Sequence, residues 1–467
     1  MEQYYILNPK NAIYVPSWAD KNLIGELFSG FALGSKEYQI KNGKDELCIS
    51  CGKADKADCA GYEYAINITN EGFCITADKK DSLMRGFMSI LCQMEYNDDL
   101  NNLAIKCNLI KEKPAMDFRC VHLCVFPETT LEFLQKCIRS CAAVKCSHIV
   151  LEFWGMFKFE FRKELSWKHA YTKEQLKPLI NEANSLGVEI IPMFNHLGHA
   201  SAGRVCHGKH VVLDQNPSLE YLFDSFGWRW KIEKSEVKEI LRNVRKELME
   251  LCGSGSYFHL GYDEAYSFKN TKDYAESEME MVEFLNEIQN ELDKCGRRAI
   301  VWSDLLLVKR VYDKQSNQAA DRYGERKVDD DATEAALDCL NKKIVIADWH
   351  YDVKKAPWYS AQFFNGKGFD VVCCPWDLSV ENAESAICTA LDNKLFGIMH
   401  TTWHTLDLGF ANMIYALEAC WSGDYKKYAY IQAARLFAAN IQRKVMPSGG
   451  DYERSGWSKN QVIPRFC

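Results

Sequence analysis

The sequence predicts an α/β fold, a (β/α)8 TIM barrel preceded by a small α+β domain. Three observations carry this prediction. The 467 residues exceed one ordinary core, so two or three domains are expected. Eight short apolar runs alternate with helical patterns or polar loops over the last three quarters of the chain, which is typical of a parallel barrel. Acids, histidines and tryptophans follow these runs, at the strand ends where barrel enzymes hold their active sites.

The small α+β domain is predicted to span residues 1–112. Its expected strands lie at 12–15, 46–49, 64–68 and 72–77. A helix is predicted over 81–94, because Leu83, Phe87, Ile90 and Leu91 recur on one helical face. The polar residues 97–102 are predicted to lead toward the next domain.

The catalytic barrel is predicted over residues 113–467. Its eight strands are expected at 118–125, 148–154, 188–195, 256–260, 298–303, 343–349, 370–375 and 395–403. Thr172 and Gln175 form a capping box that begins one of the intervening helices, and Gly187 ends it. The alternative is an open doubly wound sheet, but no glycine-rich phosphate loop follows a predicted strand. The polar stretch 314–331 indicates an exposed insertion.

Composition and charge narrow the partners and the compartment. The net charge of −7 disfavours nucleic acid and anionic membrane surfaces. No apolar run is long enough to span a membrane, and residues 1–25 lack the pattern of a signal peptide. The 20 scattered cysteines then indicate reduced thiols in a cytoplasmic protein. Cys48 and Cys51 form a Cys-x-x-Cys pair without a second pair of matching spacing, so buried thiols are favoured over zinc.

The polar and aromatic residues at the predicted strand ends indicate a carbohydrate pocket. Sugar rings pack their C–H faces on aromatic rings, while their hydroxyls hydrogen bond to charged and polar groups. The strand-end residues are Arg119, Glu152, Trp154, His196, His199, Asp263, Glu264, Trp302, Asp304, Trp349, Tyr351, Trp376 and Trp403. Eight of the eleven histidines fall between His196 and His404, which leaves a metal-dependent barrel hydrolase as an alternative.

The hexapeptide His-Leu-Gly-Tyr-Asp-Glu at 259–264 is the most specific motif. Together with the segments 191–199 and 213–217 and with Arg119, it resembles the family 20 glycoside hydrolases, the β-N-acetylhexosaminidases. The chain is similar to a divergent, intracellular-type member. The resemblance implies a substrate-assisted retaining mechanism, in which the 2-acetamido oxygen of the substrate attacks its own anomeric carbon. Glu264 would be the general acid and base, and Asp263 would orient the acetamide.

The resemblance also assigns the binding residues. Arg119 would bind the sugar hydroxyls at C3 and C4, and Tyr351 would donate to the acetamide carbonyl. The other implied pocket residues are His199, Trp302, Asp304, Trp349, Trp376 and Trp403. No metal and no cofactor are implied, and the partner is an oligosaccharide or glycoconjugate with a terminal N-acetylhexosamine. The oligomeric state stays open, with a homodimer as one alternative.

Departures from the family pattern define the open questions. Tyr262 stands where the family has Gly or Ala, and a ring there is expected to narrow the pocket. Because neighbouring residues on a strand point to opposite faces, Asp263 and Glu264 need not meet, and one can lie under the acetamide while the other lies beside the leaving group. Thr405 stands where an acid is expected after Trp403, and Asp407 is the nearest acid. The choice between glucosamine and galactosamine stays open, as does a sugar-binding relative without turnover.

Overall fold

A closed barrel of eight parallel strands follows two smaller sheets in this computed structural model. The structure describes residues 2–32, 38–201, 212–225, 227–265, 274–315, 329–403, 406–425 and 431–445. Within this part of the chain, no helix combines the length and the apolar character needed to cross a membrane.

The N-terminal sheets are built from short strands and two helices. The strands are β1 (Tyr4–Ile6), β2 (Ile13–Val15), β3 (Ile40–Asn42), β4 (Cys48–Gly52), β5 (Tyr64–Thr69), β6 (Gly72–Ala77), β7 (Glu95–Asn97), β8 (Asn102–Lys106) and β9 (Asn108–Glu112). Six form a sheet in the order β3-β2-β4-β6-β5-β9, and three form a second sheet in the order β1-β8-β7. Helix α1 (Lys21–Phe31) begins after Asp20, whose side chain accepts from two backbone N–H groups of the first turn, and α2 is Lys80–Cys92.

The structure confirms the predicted strands β2, β4, β5 and β6 and the helix α2, with ends that differ by at most three residues. The prediction for residues 97–102 was wrong. They form the turn of the β7–β8 hairpin, in which Leu100 N–H donates to Asn97 Oδ1 and Asn101 takes a φ of 45°. Polar turn residues have the same composition in a hairpin as in a linker, so composition alone could not separate the two.

The barrel uses all eight predicted strands. They are β10 (Phe118–Cys124), β11 (His148–Glu152), β12 (Glu189–Met193), β13 (Tyr257–His259), β14 (Arg298–Trp302), β15 (Val345–Asp348), β16 (Val371–Cys373) and β17 (Gly397–Thr401). Each strand pairs in parallel with the next, and β17 pairs with β10 to close the ring. The fold prediction is therefore confirmed. The division into domains at residues 112 and 113 stays a prediction, and it falls between the end of β9 and the start of β10.

Helices surround this ring. They are α3 (Leu131–Ala143), α4 (Lys173–Ser185), α5 (Val212–Gln215), α6 (Ser235–Cys252), α7 (Tyr274–Asp293), α8 (Lys309–Gln315), α9 (Asp330–Cys339), α10 (Tyr359–Gly366), α11 (Val380–Asp392), α12 (Leu406–Ser422) and α13 (Ile431–Val445). Helix α4 carries the predicted capping box of Thr172 and Gln175. Most of the expected insertion at 314–331 lies outside the described residues.

Apolar side chains fill the barrel interior. They form one cluster: Phe118, Cys120, Val150, Ile191, Met193, Ile300, Trp302, Val345, Ala347, Val372, Cys374 and Met399. Toward the carboxyl ends of the first two strands the interior turns polar, with His122 and Glu152 fully buried. The lower barrel is thus a packed core, and the polar side chains of these two strands lie toward its upper end.

Trp421 on α12 connects the bottom of the barrel to the six-stranded sheet. Its ring stacks on Tyr64 of β5 with centroids 5.8 Å apart, and its indole N–H donates to Glu112 at 3.0 Å. The guanidinium of Arg119 lies 5.0 Å from the same ring, on the barrel side. These aromatic and charged contacts fix the barrel against the N-terminal sheet.

Lys136 on α3 is buried and forms no ion pair within the described residues. Only 3% of its surface is exposed, and its Nζ contacts no hydrogen-bond acceptor in the described part of the chain. Burial lowers the pKa of Lys136 from 10.5 to about 8, because a buried ammonium loses its hydration. At neutral pH the folded protein therefore carries a costly buried charge.

Replacing Lys136 by Met should stabilise the fold. We expect the free energy of unfolding to rise by about 2 kcal/mol near neutral pH, because the charge no longer has to be buried. The folded-state pKa lies below the unfolded one, so the unfolded state binds the extra proton and the wild type recovers stability as the pH rises from about 8 to 10.5. Denaturant unfolding should show the advantage of Lys136→Met shrinking over that range. The same change at the exposed Lys168 is the control, and an equal effect there would contradict the explanation.

Candidate active site

The chain leaves regular strand geometry directly after β13. Gly261, Tyr262 and Glu264 all have positive φ, at 67°, 79° and 54°. A side chain at Gly261 would meet Asn195, because an added Cβ would lie 2.6 Å from its Nδ2. Gly198 in the loop after β12 comes still closer, since its added Cβ would lie 1.9 Å from the carbonyl oxygen of Asp263. Two glycines therefore allow the two loops to interlock.

The interlocked loops bring both carboxylates to one imidazole. His199 Nε2 lies 3.1 Å from Asp263 Oδ2 and 3.1 Å from Glu264 Oε2. Strand alternation no longer holds where φ is positive, so both side chains reach His199 although they are neighbours in sequence. Asp263 is buried and also accepts from Asn195 Nδ2 at 3.3 Å, whereas about a third of the Glu264 side chain is exposed. The buried Asp263 carboxylate and the partly exposed Glu264 carboxylate thus have different surroundings.

The backbone of Glu264 is held on both sides. Its N–H donates to Asp304 Oδ2 at 2.9 Å, and its carbonyl accepts from Trp228 Nε1 at 2.8 Å. The second oxygen of Asp304 accepts from Trp349 Nε1 at 3.4 Å. The Trp228 ring also packs on His199, with centroids 4.3 Å apart. Trp228 was not predicted from the sequence, and Asn195 was predicted only as a strand-end residue without a positioning role. Asn195 ends the predicted third strand, which was the one available signal.

The four predicted tryptophans gather around Tyr351. Trp403 Nε1 donates to the Tyr351 hydroxyl at 2.7 Å. The Tyr351 ring lies 5.1 Å from Trp349 and 5.7 Å from Trp376, and Trp302 lies 5.7 Å from Trp403. Burial raises the pKa of Tyr351 well above its usual value, so its hydroxyl keeps its proton. The result is an aromatic wall with a phenol donor beside the acid pair.

Arg119 does not belong to this pocket, so that prediction was wrong. Its guanidinium donates to the carbonyl oxygens of Asp117 at 2.9 Å and Lys145 at 3.0 Å, and it lies over Trp421. On β10 the inward positions are Phe118 and Cys120, so Arg119 points outward at the opposite end of the barrel. A strand that is apolar on both faces lacks the alternation of apolar and polar residues, so its sequence does not show which side chains point into the barrel.

Tyr262 does not narrow the pocket either. Its ring is 1% exposed and lies in the main hydrophobic core, and its hydroxyl donates to the carbonyl oxygen of Met281 on α7 at 3.1 Å. The side chain thus points away from the acids and toward the outer helix layer. His404 and Thr405, which follow Trp403, lie outside the described residues, as does the side chain of Asp407.

Comparison with known proteins agrees with this geometry. The family model "Glycosyl hydrolase family 20, catalytic domain" matches residues 147–379, about half of the chain. The chain belongs to glycosyl hydrolase family 20. The matched region runs from the start of β11 to the loop after β16 and includes the acid pair, the interlocked loops, Trp302, Trp349, Tyr351 and Trp376.

Two glycoside hydrolases and a solved structure are similar to this chain at low identity. Lacto-N-biosidase of Bifidobacterium bifidum is 22% identical over 284 residues, which cover 56% of this chain and 24% of that protein. A chitooligosaccharidolytic β-N-acetylglucosaminidase of Bombyx mori is 25% identical over 224 residues, covering 44% of this chain and 37% of that protein. The alignments therefore span well under half of either relative. The family 20 β-N-acetylhexosaminidase structure from Streptomyces coelicolor has the same fold, with a TM-score of 0.67 at 14% identity, covering 95% of this chain and 94% of that one.

The metal-hydrolase alternative, raised by the eight histidines between His196 and His404, requires two or three histidines and a carboxylate at one ion, and His196 and His199 are the pair nearest in sequence at a strand end. His196 Nδ1 lies 2.6 Å from the carbonyl oxygen of Phe194, whereas His199 binds the two carboxylates. The two rings have different partners. This arrangement favours acid–base chemistry at Asp263 and Glu264 over a shared ion.

Tyr262→Phe tests whether Tyr262 stabilises the hydrophobic core or contributes to the sugar pocket. We expect the free energy of unfolding to fall by about 1 kcal/mol, because the Met281 carbonyl loses its donor. Sugar binding should stay unchanged, since the ring lies outside the pocket. Thermal unfolding and calorimetric titration with N-acetylglucosamine measure the two effects. A changed sugar affinity with unchanged stability would contradict the outward placement of Tyr262.

Proposed function

We propose that this family 20 chain is an exo-acting β-N-acetylhexosaminidase. It would release terminal β-linked N-acetylglucosamine or N-acetylgalactosamine from oligosaccharides or glycoconjugates. The observation that carries the proposal is the acid pair: one buried and one accessible carboxylate share His199 Nε2 beside an aromatic wall. The Bombyx mori β-N-acetylglucosaminidase and the Streptomyces coelicolor β-N-acetylhexosaminidase support the same substrate class.

Glu264 is the proposed general acid and base. Its side chain is the more exposed of the two, so it can reach the glycosidic oxygen of a bound sugar. It would protonate that oxygen as the bond to the leaving group breaks, and then take a proton from the attacking water. Asp304 and Trp228 fix its backbone at N–H and C=O, which limits how far the carboxyl can drift.

Asp263 is the proposed partner of the substrate's acetamide group. Its burial supports a role in orienting the acetamide N–H and stabilising the oxazolinium-like intermediate. Preorganised charge in a site with little water acts strongly on such an intermediate. Asn195 and His199 hold its two oxygens, so the carboxylate is oriented before substrate arrives.

The aromatic wall is the proposed binding surface for the sugar ring and the acetamido methyl. Tyr351 accepts a hydrogen bond from Trp403 and so has its own proton available for the acetamide carbonyl. Trp302, Trp349, Trp376 and Trp403 supply apolar faces for the ring. The cytoplasmic location and the homodimer stay predictions.

Glu264→Gln tests the acid–base role. With an aryl N-acetyl-β-glucosaminide and the corresponding galactosaminide, we expect the rate to fall by about 100-fold or more, while N-acetylglucosamine still binds. Glu128→Gln is the control, because Glu128 is exposed in the loop after β10 at the same barrel end. Sugar binding without turnover in the wild type would instead indicate a sugar-binding relative. A near-full rate in Glu264→Gln would overturn the mechanism.

Asp263→Asn tests substrate assistance. We expect turnover of 2-acetamido substrates to fall by about 100-fold or more, because the neutral amide no longer stabilises the positive intermediate. Wild-type rates on the matching plain glucosides should be negligible, since these lack the acetamide nucleophile. Comparable wild-type rates on glucosides and N-acetylglucosaminides would rule out substrate assistance even if Asp263→Asn were inactive.

A further inference from the structure

Three potential metal ligands meet inside the barrel, outside the proposed acid pair. Cys124 and Glu152 are direct partners across the parallel pair β10 and β11, and His122 precedes Cys124 on the same face of β10. His122 Nε2 lies 2.9 Å from Glu152 Oε2, and Cys124 Sγ lies 3.6 Å from Glu152 Oε2 and 3.8 Å from His122 Nε2. His122 and Glu152 are fully buried, and 5% of Cys124 is exposed.

We propose that His122, Cys124 and Glu152 form a binding site for a zinc-type divalent ion. At a tetrahedral Zn²⁺, a thiolate sulfur, an imidazole nitrogen and a carboxylate oxygen are separated pairwise by about 3.3 to 3.6 Å, as bond lengths of about 2.0 to 2.3 Å require. The three separations in the structure differ from these values by only a few tenths of an ångström. Both strands are already in register, so an ion could bind without rebuilding the barrel.

Charge balance supports the same ion. A metal-bound thiol is deprotonated, so Cys124 and Glu152 together would bring two negative charges and the imidazole none. One divalent cation neutralises them inside a barrel where unpaired charge is costly. The set of one thiolate, one imidazole and one carboxylate favours Zn²⁺ or Co²⁺ over the oxygen-preferring Mg²⁺ and Ca²⁺.

The site lies directly beneath the aromatic wall. The His122 ring is 4.7 Å from Trp403 and 6.0 Å from Trp302. Three protein ligands leave a fourth position for solvent, and the slight exposure of Cys124 marks the side from which an ion could enter. The site does not use Asp263, Glu264 or His199, so the inference does not depend on the proposed hydrolase activity.

Co²⁺ titration of the full chain tests the site. We expect one Co²⁺ per chain with a thiolate-to-metal charge-transfer band, displaced by one equivalent of Zn²⁺. Cys124→Ser should lose the band, and His122→Asn should weaken binding by at least about tenfold. Cys120→Ser is the matched control, because Cys120 also lies inside the barrel on β10 but about 13 Å further along the strand. It should bind as the wild type does.

Two measurements keep the test decisive. X-ray absorption of the zinc-loaded wild type should show a single sulfur near 2.3 Å with lighter ligands, which needs no variant to fold. Zn²⁺ should also raise the unfolding temperature of the wild type and of Cys120→Ser, but not of Cys124→Ser. Several sulfurs at the zinc, no Co²⁺ band in the wild type, or an undiminished band in Cys124→Ser would each overturn the site. Hexosaminidase rates enter none of these readouts.

Discussion

The contact of one imidazole nitrogen with two adjacent carboxylates is the constraint around which the top of the barrel is built. His199 can reach Asp263 and Glu264 together only because the chain after β13 abandons strand geometry at three positive φ angles. The same contact requires the loop after β12 to press against the backbone of Asp263, and only Gly198 fits there. The site is thus defined by backbone shape as much as by its acids.

The two carboxylates differ although they are neighbours in sequence and share a partner. Asp263 has protein groups on both oxygens, whereas Glu264 has its backbone fixed and its side chain partly open to solvent. The proposed mechanism needs these two properties, which are a fixed buried charge that stabilises the intermediate and an accessible group that transfers the proton. Asp304 links the acid pair to the aromatic wall, because its carboxylate accepts from the Glu264 N–H and from Trp349 Nε1.

Sequence could predict the order of the barrel strands and the place of the acid pair, because apolar runs and strand ends are local signals. It could not predict which way the Arg119 side chain points, since β10 is buried on both faces and its residues do not alternate between apolar and polar. It also misjudged Tyr262, whose neighbours suggested a pocket residue while its positive φ turns the ring into the core. Trp228 lies in a loop without periodicity, so only the folded chain shows that it holds Glu264.

The stacking of Trp421 between Tyr64 and Arg119 has a consequence for how the molecule can be divided. Tyr64 and Arg119 are almost fully buried, and each belongs to a different side of the proposed domain boundary. If the barrel were separated from the N-terminal sheet at that boundary, the Trp421 indole would lose its cover and become exposed to water beside the Arg119 guanidinium. The N-terminal sheet therefore covers this end of the barrel, and a barrel expressed without it should be less stable.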